Sequence, residues 1–204
     1  MELSDAGRLD EAVREGQALL AEADNDEDRG SLLVGAVMFS ARLGRLKDAR
    51  RMLEELKALK ISDLESRMNA EFCEPCLLVQ EGRTEEGISA FGRMLQRYRD
   101  AFQEEKFRYL YVDIQCRTAS ALVFLSRLAE ALPILLEAVG FDFEKASDEQ
   151  DVRYALGLCL EQTSDLEEAK RQYHRVVSSS RKSEHEERAR YGLSRMYFTA
   201  GGFA

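Results

Sequence analysis

The sequence has little or none of several features that define specialised structural classes. Its 204 residues include no Trp, two Pro, two His and four Cys. So little Pro excludes a collagen-like chain, and four Cys without an export signal favour reduced thiols over a disulfide scaffold. No apolar run approaches the roughly 20 residues that span a bilayer, and the N-terminus does not resemble a signal peptide. We therefore expect a soluble, cytoplasmic protein.

Acidic residues outnumber basic residues, 38 Asp and Glu against 29 Lys and Arg, which gives a net charge of −9. Because 45% of the residues are hydrophobic, the chain can bury a core. Residues 1–28 contain ten acids and two Arg and so carry most of this charge. Nucleic acids and anionic membranes bind clustered cations, and no basic aromatic patch is evident. We therefore expect neither nucleic acid nor a membrane as a partner.

A short phrase recurs along the chain: a small turn residue, an apolar residue two positions later, and a small residue three further on. The turn residues are spaced by 37, 38, 44, 38 and 37 residues. Such spacing is typical of helical-repeat proteins. The turn residues are Gly7, Gly44, Gly82, Ser126, Ser164 and Gly201, and the small residues are Ala12, Ala49, Gly87, Ala131 and Ala169.

Large apolar residues follow most of these small residues at helical spacing. Leu53, Phe91, Leu135 and Tyr173 lie four positions later, which places them one helical turn away on the same face. The stretch before each turn also has a helical pattern, so each repeat is expected to be a pair of helices. We predict an all-α protein with helices at 8–23, 27–43, 46–59, 63–80, 84–99, 103–125, 128–139, 147–162, 166–179 and 183–200.

One copy of the repeat resembles a known family. Tyr154, Gly157 and Leu160, followed by Ala169 and Tyr173, are similar to the signatures of the tetratricopeptide repeat. The resemblance covers nearly the whole chain and implies an α-solenoid, a right-handed superhelix of antiparallel helix pairs with about ten helices.

The repeat pattern also predicts the domain organisation. We expect a single array over 1–204, with half repeats at 1–25 and 182–204 and full repeats at about 26–61, 62–101, 102–145 and 146–181. The half repeats indicate a fragment of a longer array; the alternative is that they cap the stack. The closing half repeat contains Leu193, Met196 and Tyr197, an apolar set that we expect to be exposed and to favour self-association.

By the same resemblance, the first helices of the pairs line a concave groove that binds a partner peptide or helix. Packing between neighbouring first helices is the alternative role for any one of these residues. The predicted groove residues are Val34, Met38, Asn69, Phe72, Cys76, Asp113, Cys116, Ser120, Asp151, Tyr154, Leu158, Arg188, Tyr191 and Arg195.

Catalytic and metal-binding patterns are weak. Cys73 and Cys76 have CxxC spacing, but a zinc site would need a second ligand pair and a redox site a different context. His174 and His185 are expected at the surface, without a nucleophile motif or a phosphate-binding loop. We therefore expect no enzyme activity, metal or cofactor. The predicted function is a protein-interaction scaffold; the alternative is a regulatory subunit that senses a small molecule or nucleic acid in the same groove.

The third repeat is six residues longer than its neighbours, and the excess falls between Tyr98 and Phe107. Six helical residues would add about 9 Å. The spacing therefore predicts a longer helix pair that protrudes from the stack and carries Phe102 and Phe107.

Overall fold

A computed structural model describes residues 19–20, 22–140, 146–179 and 184–200. Over these residues the chain forms helices and two 3₁₀ turns, at Ala101–Gln103 and Glu105–Phe107, and no β-strand. The predicted all-α class of antiparallel helix pairs is confirmed. The helices are α1 (Asp26–Arg42), α2 (Leu46–Ala58), α3 (Leu64–Gln80), α4 (Thr84–Arg97), α5 (Arg108–Phe124), α6 (Leu128–Ala138), α7 (Ala146–Gln162), α8 (Leu166–Val177) and α9 (Glu184–Ala200).

Eight of the predicted helices agree with the observed bounds to within two residues, and the predicted helix 8–23 lies almost wholly outside the described residues. The prediction at 103–125 is wrong at its start. The helix begins at Arg108 and matches α1, α3 and α7 in length, so the predicted longer helix does not occur among the described residues. Phe107 is buried and Phe102 is half-buried, so these two rings do not project outward as predicted, and Tyr98 is buried beside them. Burial of these rings favours two tight 3₁₀ turns over an extended helix.

The small turn residues of the repeat end the first helix of each pair in the left-handed conformation. Gly44 and Gly82 have φ values of 72° and 79°, and Ser126 and Ser164 have values of 60° and 68°. In each turn the residue after the turn residue donates its backbone N–H to the carbonyl of the residue five positions before it, as Arg45 does to Ser40 at 2.9 Å. This is the Schellman motif, which favours a residue that tolerates positive φ.

The small residue that follows each turn permits close packing of the two helices. Ala49, Ala131 and Ala169 are buried. At Gly87 an added Cβ would lie 2.6 Å from Val79 Cγ2. The large residues one turn later are also buried, and they are Leu53, Phe91, Leu135 and Tyr173. The repeat phrase therefore encodes a turn, a close helix contact and a core residue in that order.

The chain divides into two compact units, Met1–Phe102 and Gln103–Ala204. In the first, α1 pairs with α2 and α3 with α4, while α3 also packs on α1 and α2. In the second, α5 pairs with α6 and α7 with α8, and α9 packs on α8 and α7. The predicted array over 1–204 and its repeat boundaries stay a prediction.

The packing of α9 corrects one expectation. Leu193 and Met196 are buried, whereas Tyr197 is exposed. The expectation that Leu193 and Met196 are exposed is therefore wrong, because α9 packs on α8 and α7, while self-association through the terminal half repeats stays a prediction. Over the described part of the chain, no helix combines the length and the apolar character needed to cross a membrane.

Candidate functional site

The structure distributes the predicted groove residues unevenly between core and surface. In the first unit Val34 and Met38 pack against the core, and Phe72 and Cys76 are buried. The Phe72 ring lies 5.8 Å from that of Phe91, centroid to centroid. Asn69 is half-buried. These first-helix residues mostly contribute to packing.

In the second unit the predicted residues are more accessible. On α5, Asp113 and Cys116 are half-buried and Ser120 is exposed. Asp113 Oδ1 accepts a hydrogen bond of 2.9 Å from Arg117 Nε. The residues on α7 and α9 come together, and we call them the α7–α9 face. It comprises Asp151, Tyr154, Leu158 and Glu161 of α7, and His185, Arg188, Tyr191 and Arg195 of α9.

One end of the α7–α9 face is an aromatic contact supported by a polar contact between His185 and Asp151. The rings of Tyr154 and His185 lie 5.0 Å apart, centroid to centroid. His185 Nε2 lies 3.0 Å from Asp151 Oδ1, and this contact links the two helices. The Tyr154 ring also lies 6.0 Å from the Tyr173 ring, centroid to centroid, so Tyr154 contacts both α9 and α8.

The other end of the face is a hydrogen-bonded chain that starts in the core. Tyr173 is 1% exposed, and its hydroxyl donates to Glu161 Oε2 at 2.9 Å. Burial raises the pKa of Tyr173 far above its ordinary value, and the neighbouring Glu161 carboxylate adds to this rise, so the phenol stays neutral. Glu161 also forms an ion pair with Arg195, whose guanidinium lies 6.0 Å from the Tyr191 ring centroid.

Two glycines allow the Tyr173 ring to lie between α7 and α9. A Cβ at Gly157 would be 2.5 Å from Tyr173 Cε1, and a Cβ at Gly192 would be 2.8 Å from Cε2. Both distances are shorter than two carbon atoms can approach, so only glycine fits at these positions. The ring therefore fixes the spacing of the helices that carry the α7–α9 face.

Sequence reasoning missed three members of this arrangement. His185 was expected at the surface, and Glu161 and Tyr173 were not placed in the site. Helical register contains a signal for two of them, because Glu161 lies three residues after Leu158 and His185 three residues before Arg188. Nothing in the local sequence indicates that the Tyr173 hydroxyl meets Glu161, since this contact depends on how α8 packs on α7.

The α7–α9 face has the composition of a binding surface. Tyr191 is 70% exposed beside Arg195, and Tyr and Arg are the residue types that contribute most at protein interfaces.

The arrangement shows no nucleophile paired with a base. Among the described residues, no group of three or more His, Cys, Asp or Glu side chains is placed to hold a metal ion. Cys73 and Cys159 are buried, and each donates to a backbone carbonyl.

The fold is similar to those of several solved structures. BtubC from P. vanneervenii has a TM-score of 0.68 at 15% identity, over 97% of this chain and 83% of BtubC. Apo PlcR from Bacillus thuringiensis has a TM-score of 0.69 at 16% identity, over 99% of this chain and 74% of PlcR. A MamA structure, MSR-1, has a TM-score of 0.56 at 17% identity, over 85% and 87% of the two chains. No protein-family model and no curated protein matches the sequence. These structures place the chain among helical-repeat folds.

One of these comparisons corrects the prediction about partners. PlcR was also solved in complex with the peptide PapR7 and DNA, and this structure matches with a TM-score of 0.69 at 16% identity, over 95% of this chain and 70% of PlcR. The prediction that excluded nucleic acid is therefore wrong for this fold. The net charge of a chain is a poor guide because binding depends on local cations, and most of this net charge lies in residues 1–28.

Proposed function

We propose that this chain is a non-catalytic helical-repeat module that binds a peptide or a segment of a partner protein on the α7–α9 face. The exposed Tyr191 ring beside Arg195 is the observation that carries the proposal. It offers an apolar contact and a cation within reach of the same ligand. The PlcR structure with PapR7 supports the proposal, since a protein of this fold accommodates a peptide in its complex.

The charged groups of the face are held in place before a ligand arrives. Arg195 is paired with Glu161, and Glu161 accepts a hydrogen bond from the buried Tyr173 hydroxyl. Ordering a flexible arginine on binding costs about 0.5–1.5 kcal/mol, and a side chain already held in place avoids part of that cost. We infer that the ligand presents an apolar side chain to Tyr191 and a carbonyl or carboxylate to Arg195 or Arg188.

A regulatory role is the second candidate function. In that role the same face binds a small molecule or nucleic acid, and the presence of DNA in the PlcR complex favours it. Arg188 and Arg195 would then bind phosphate groups. Strong salt dependence distinguishes this mode from peptide binding that depends on apolar contact.

The test selects ligands from a peptide library displayed on phage against the immobilised chain, and then measures enriched peptides by fluorescence anisotropy. Tyr191→Ala is expected to weaken binding about 30-fold, the effect of losing an interface residue worth about 2 kcal/mol. Tyr197→Ala is the matched control, because Tyr197 is an exposed tyrosine of α9 that contacts His174 and Lys170 of α8 instead. Equal binding by both variants, or no enriched peptide, contradicts the proposal.

A further inference from the structure

The first unit contains a cleft that the function proposed above does not use. It has a volume of about 410 Å³ and lies between α2, α3 and α4. Its apolar part includes Leu59, Ile61 and Met94. This volume falls within the roughly 300–1,000 Å³ typical of ligand pockets. The cleft lies on second helices as well as on α3, whereas the α7–α9 face is formed by first helices only.

The charge of the cleft differs from that of the whole chain. Four cations line it, Lys57, Arg67, Arg93 and Arg97, against the two carboxylates Glu71 and Glu74. Both carboxylates are already paired, Glu74 with Lys57 and Glu71 with Arg97, each at 2.8 Å. Among the residues that the structure describes, neither Arg67 nor Arg93 forms a salt bridge with a carboxylate, and Arg67 hydrogen-bonds to the Tyr98 side chain instead. The cleft is therefore locally cationic in a chain of net charge −9.

The wall of the cleft also contains a break in helical hydrogen bonding. Pro75 lies inside α3 and lines the cleft. Because proline has no N–H, the carbonyl of Glu71 loses its α-helical donor. Glu71 lines the cleft too, one helical turn before Pro75 on the same face of α3.

We propose that this cleft binds an acidic segment of a partner protein, with an apolar side chain against Leu59, Ile61 and Met94 and carboxylates on Arg67 and Arg93. Planar guanidinium groups bind carboxylates through paired hydrogen bonds, which gives the site its charge preference. The apolar residues suit an aliphatic side chain of that segment, and the DNA arm of the experiment tests a polynucleotide in the same cleft. The site is independent of the α7–α9 face.

The experiment measures binding of the full chain to a fluorescein-labelled peptide library with Leu at two positions and Asp or Glu elsewhere. A matched library with Lys in place of the acids tests charge, and a labelled single-stranded 12-nucleotide DNA tests the polynucleotide. We expect the acidic library to bind, and the Arg67→Glu, Arg93→Glu double variant to lose at least about tenfold in affinity. The basic library and the DNA are expected not to compete.

The matched control is the Arg42→Glu, Arg99→Glu double variant, which changes the net charge equally at exposed positions outside the cleft. It is expected to bind the acidic library as the native chain does. The milder Arg67→Gln, Arg93→Gln variant serves where charge reversal impairs folding, and circular dichroism checks each fold. Tyr191→Ala is expected to leave this binding unchanged, so failure here is distinct from failure of the α7–α9 face. Equal losses in both charge-reversal variants, no binding by the acidic library, or stronger binding by DNA overturns the proposal.

Discussion

Replacing Gly157 by Ala tests whether the Tyr173 ring sets the spacing of α7 and α9. The added Cβ would lie 2.5 Å from Cε1 and 2.7 Å from Cδ1 of a ring that is 1% exposed. The ring cannot retreat, since Gly192 lies against its opposite edge, where an added Cβ would be 2.8 Å from Cε2, and Glu161 accepts a hydrogen bond from its hydroxyl. Overpacking of this kind costs about 1–3 kcal/mol, and the lack of space on both sides places it near 2–3.

A helix-propensity gain acts in the opposite direction. Ala is favoured over Gly inside a helix by about 1 kcal/mol, so the net destabilisation expected for Gly157→Ala is about 1–2 kcal/mol. Gly92→Ala in α4 is the matched control, because nothing lies within 4 Å of the added Cβ there. It is expected to stabilise by up to about 1 kcal/mol. The difference between the two variants therefore isolates the overpacking.

The assay is urea and thermal unfolding followed by circular dichroism. For a chain of this length about 1 kcal/mol shifts Tm by roughly 2–4 °C, so the two variants should differ by about 4–12 °C. A double-mutant cycle of Gly157→Ala with Tyr173→Leu should show coupling above about 1 kcal/mol, because the smaller side chain relieves the clash. If Gly157→Ala is as stable as Gly92→Ala, or if the cycle shows no coupling, the Tyr173 ring does not set the spacing of α7 and α9.

Two further predictions concern the turns and the start of α1. Ser164→Gly should stabilise the chain by roughly 1 kcal/mol, because a side chain at positive φ is strained and the equivalent Gly82 has none. Gly82→Ala should destabilise the chain by a similar amount for the same reason. Unfolding midpoints that shift in the opposite directions refute this explanation. Hydrogen bonds donated by the Ser62 hydroxyl and the backbone N–H groups of Asp63 and Ser62 hold the pKa of Glu27 below its ordinary value of 4.5. The stabilisation by these hydrogen bonds is present above pH 4.5 and is lost as the pH falls through the lower pKa of the folded state. Glu27→Gln should therefore reduce the fall in unfolding free energy between neutral and acidic pH. An unchanged fall contradicts the role of Glu27.

The sequence predicted the helices well because their signals are local. Turn residues with positive φ, small residues at helix contacts and apolar residues one turn later all lie within about ten residues of one another. The insertion near Phe107 was predicted wrongly for the opposite reason. Its length is visible in the sequence, but whether Tyr98 and Phe107 extend a helix or bury in tight turns depends on the surfaces available to cover them.

The sequence likewise predicted only part of the candidate site. Register placed Asp151, Tyr154, Tyr191 and Arg195 on first-helix faces, and the structure brings them together. Val34 and Met38 have the same register but pack against the core. Burial depends on which neighbouring helix covers a position, and a repeat phrase does not encode this.

The amino-acid sequence alone determined that this protein is a series of antiparallel helix pairs, because backbone turn geometry and helical periodicity are properties of short segments. Only the tertiary structure decided the rest. It joined Tyr173, Glu161 and Arg195 across three helices, placed His185 against Tyr154, and gathered Arg67 and Arg93 into a cationic cleft of an acidic chain. The partners of Glu161 lie 12 and 34 positions away in the sequence, at Tyr173 and Arg195. Only the packing of the helices against one another brings such residues into contact.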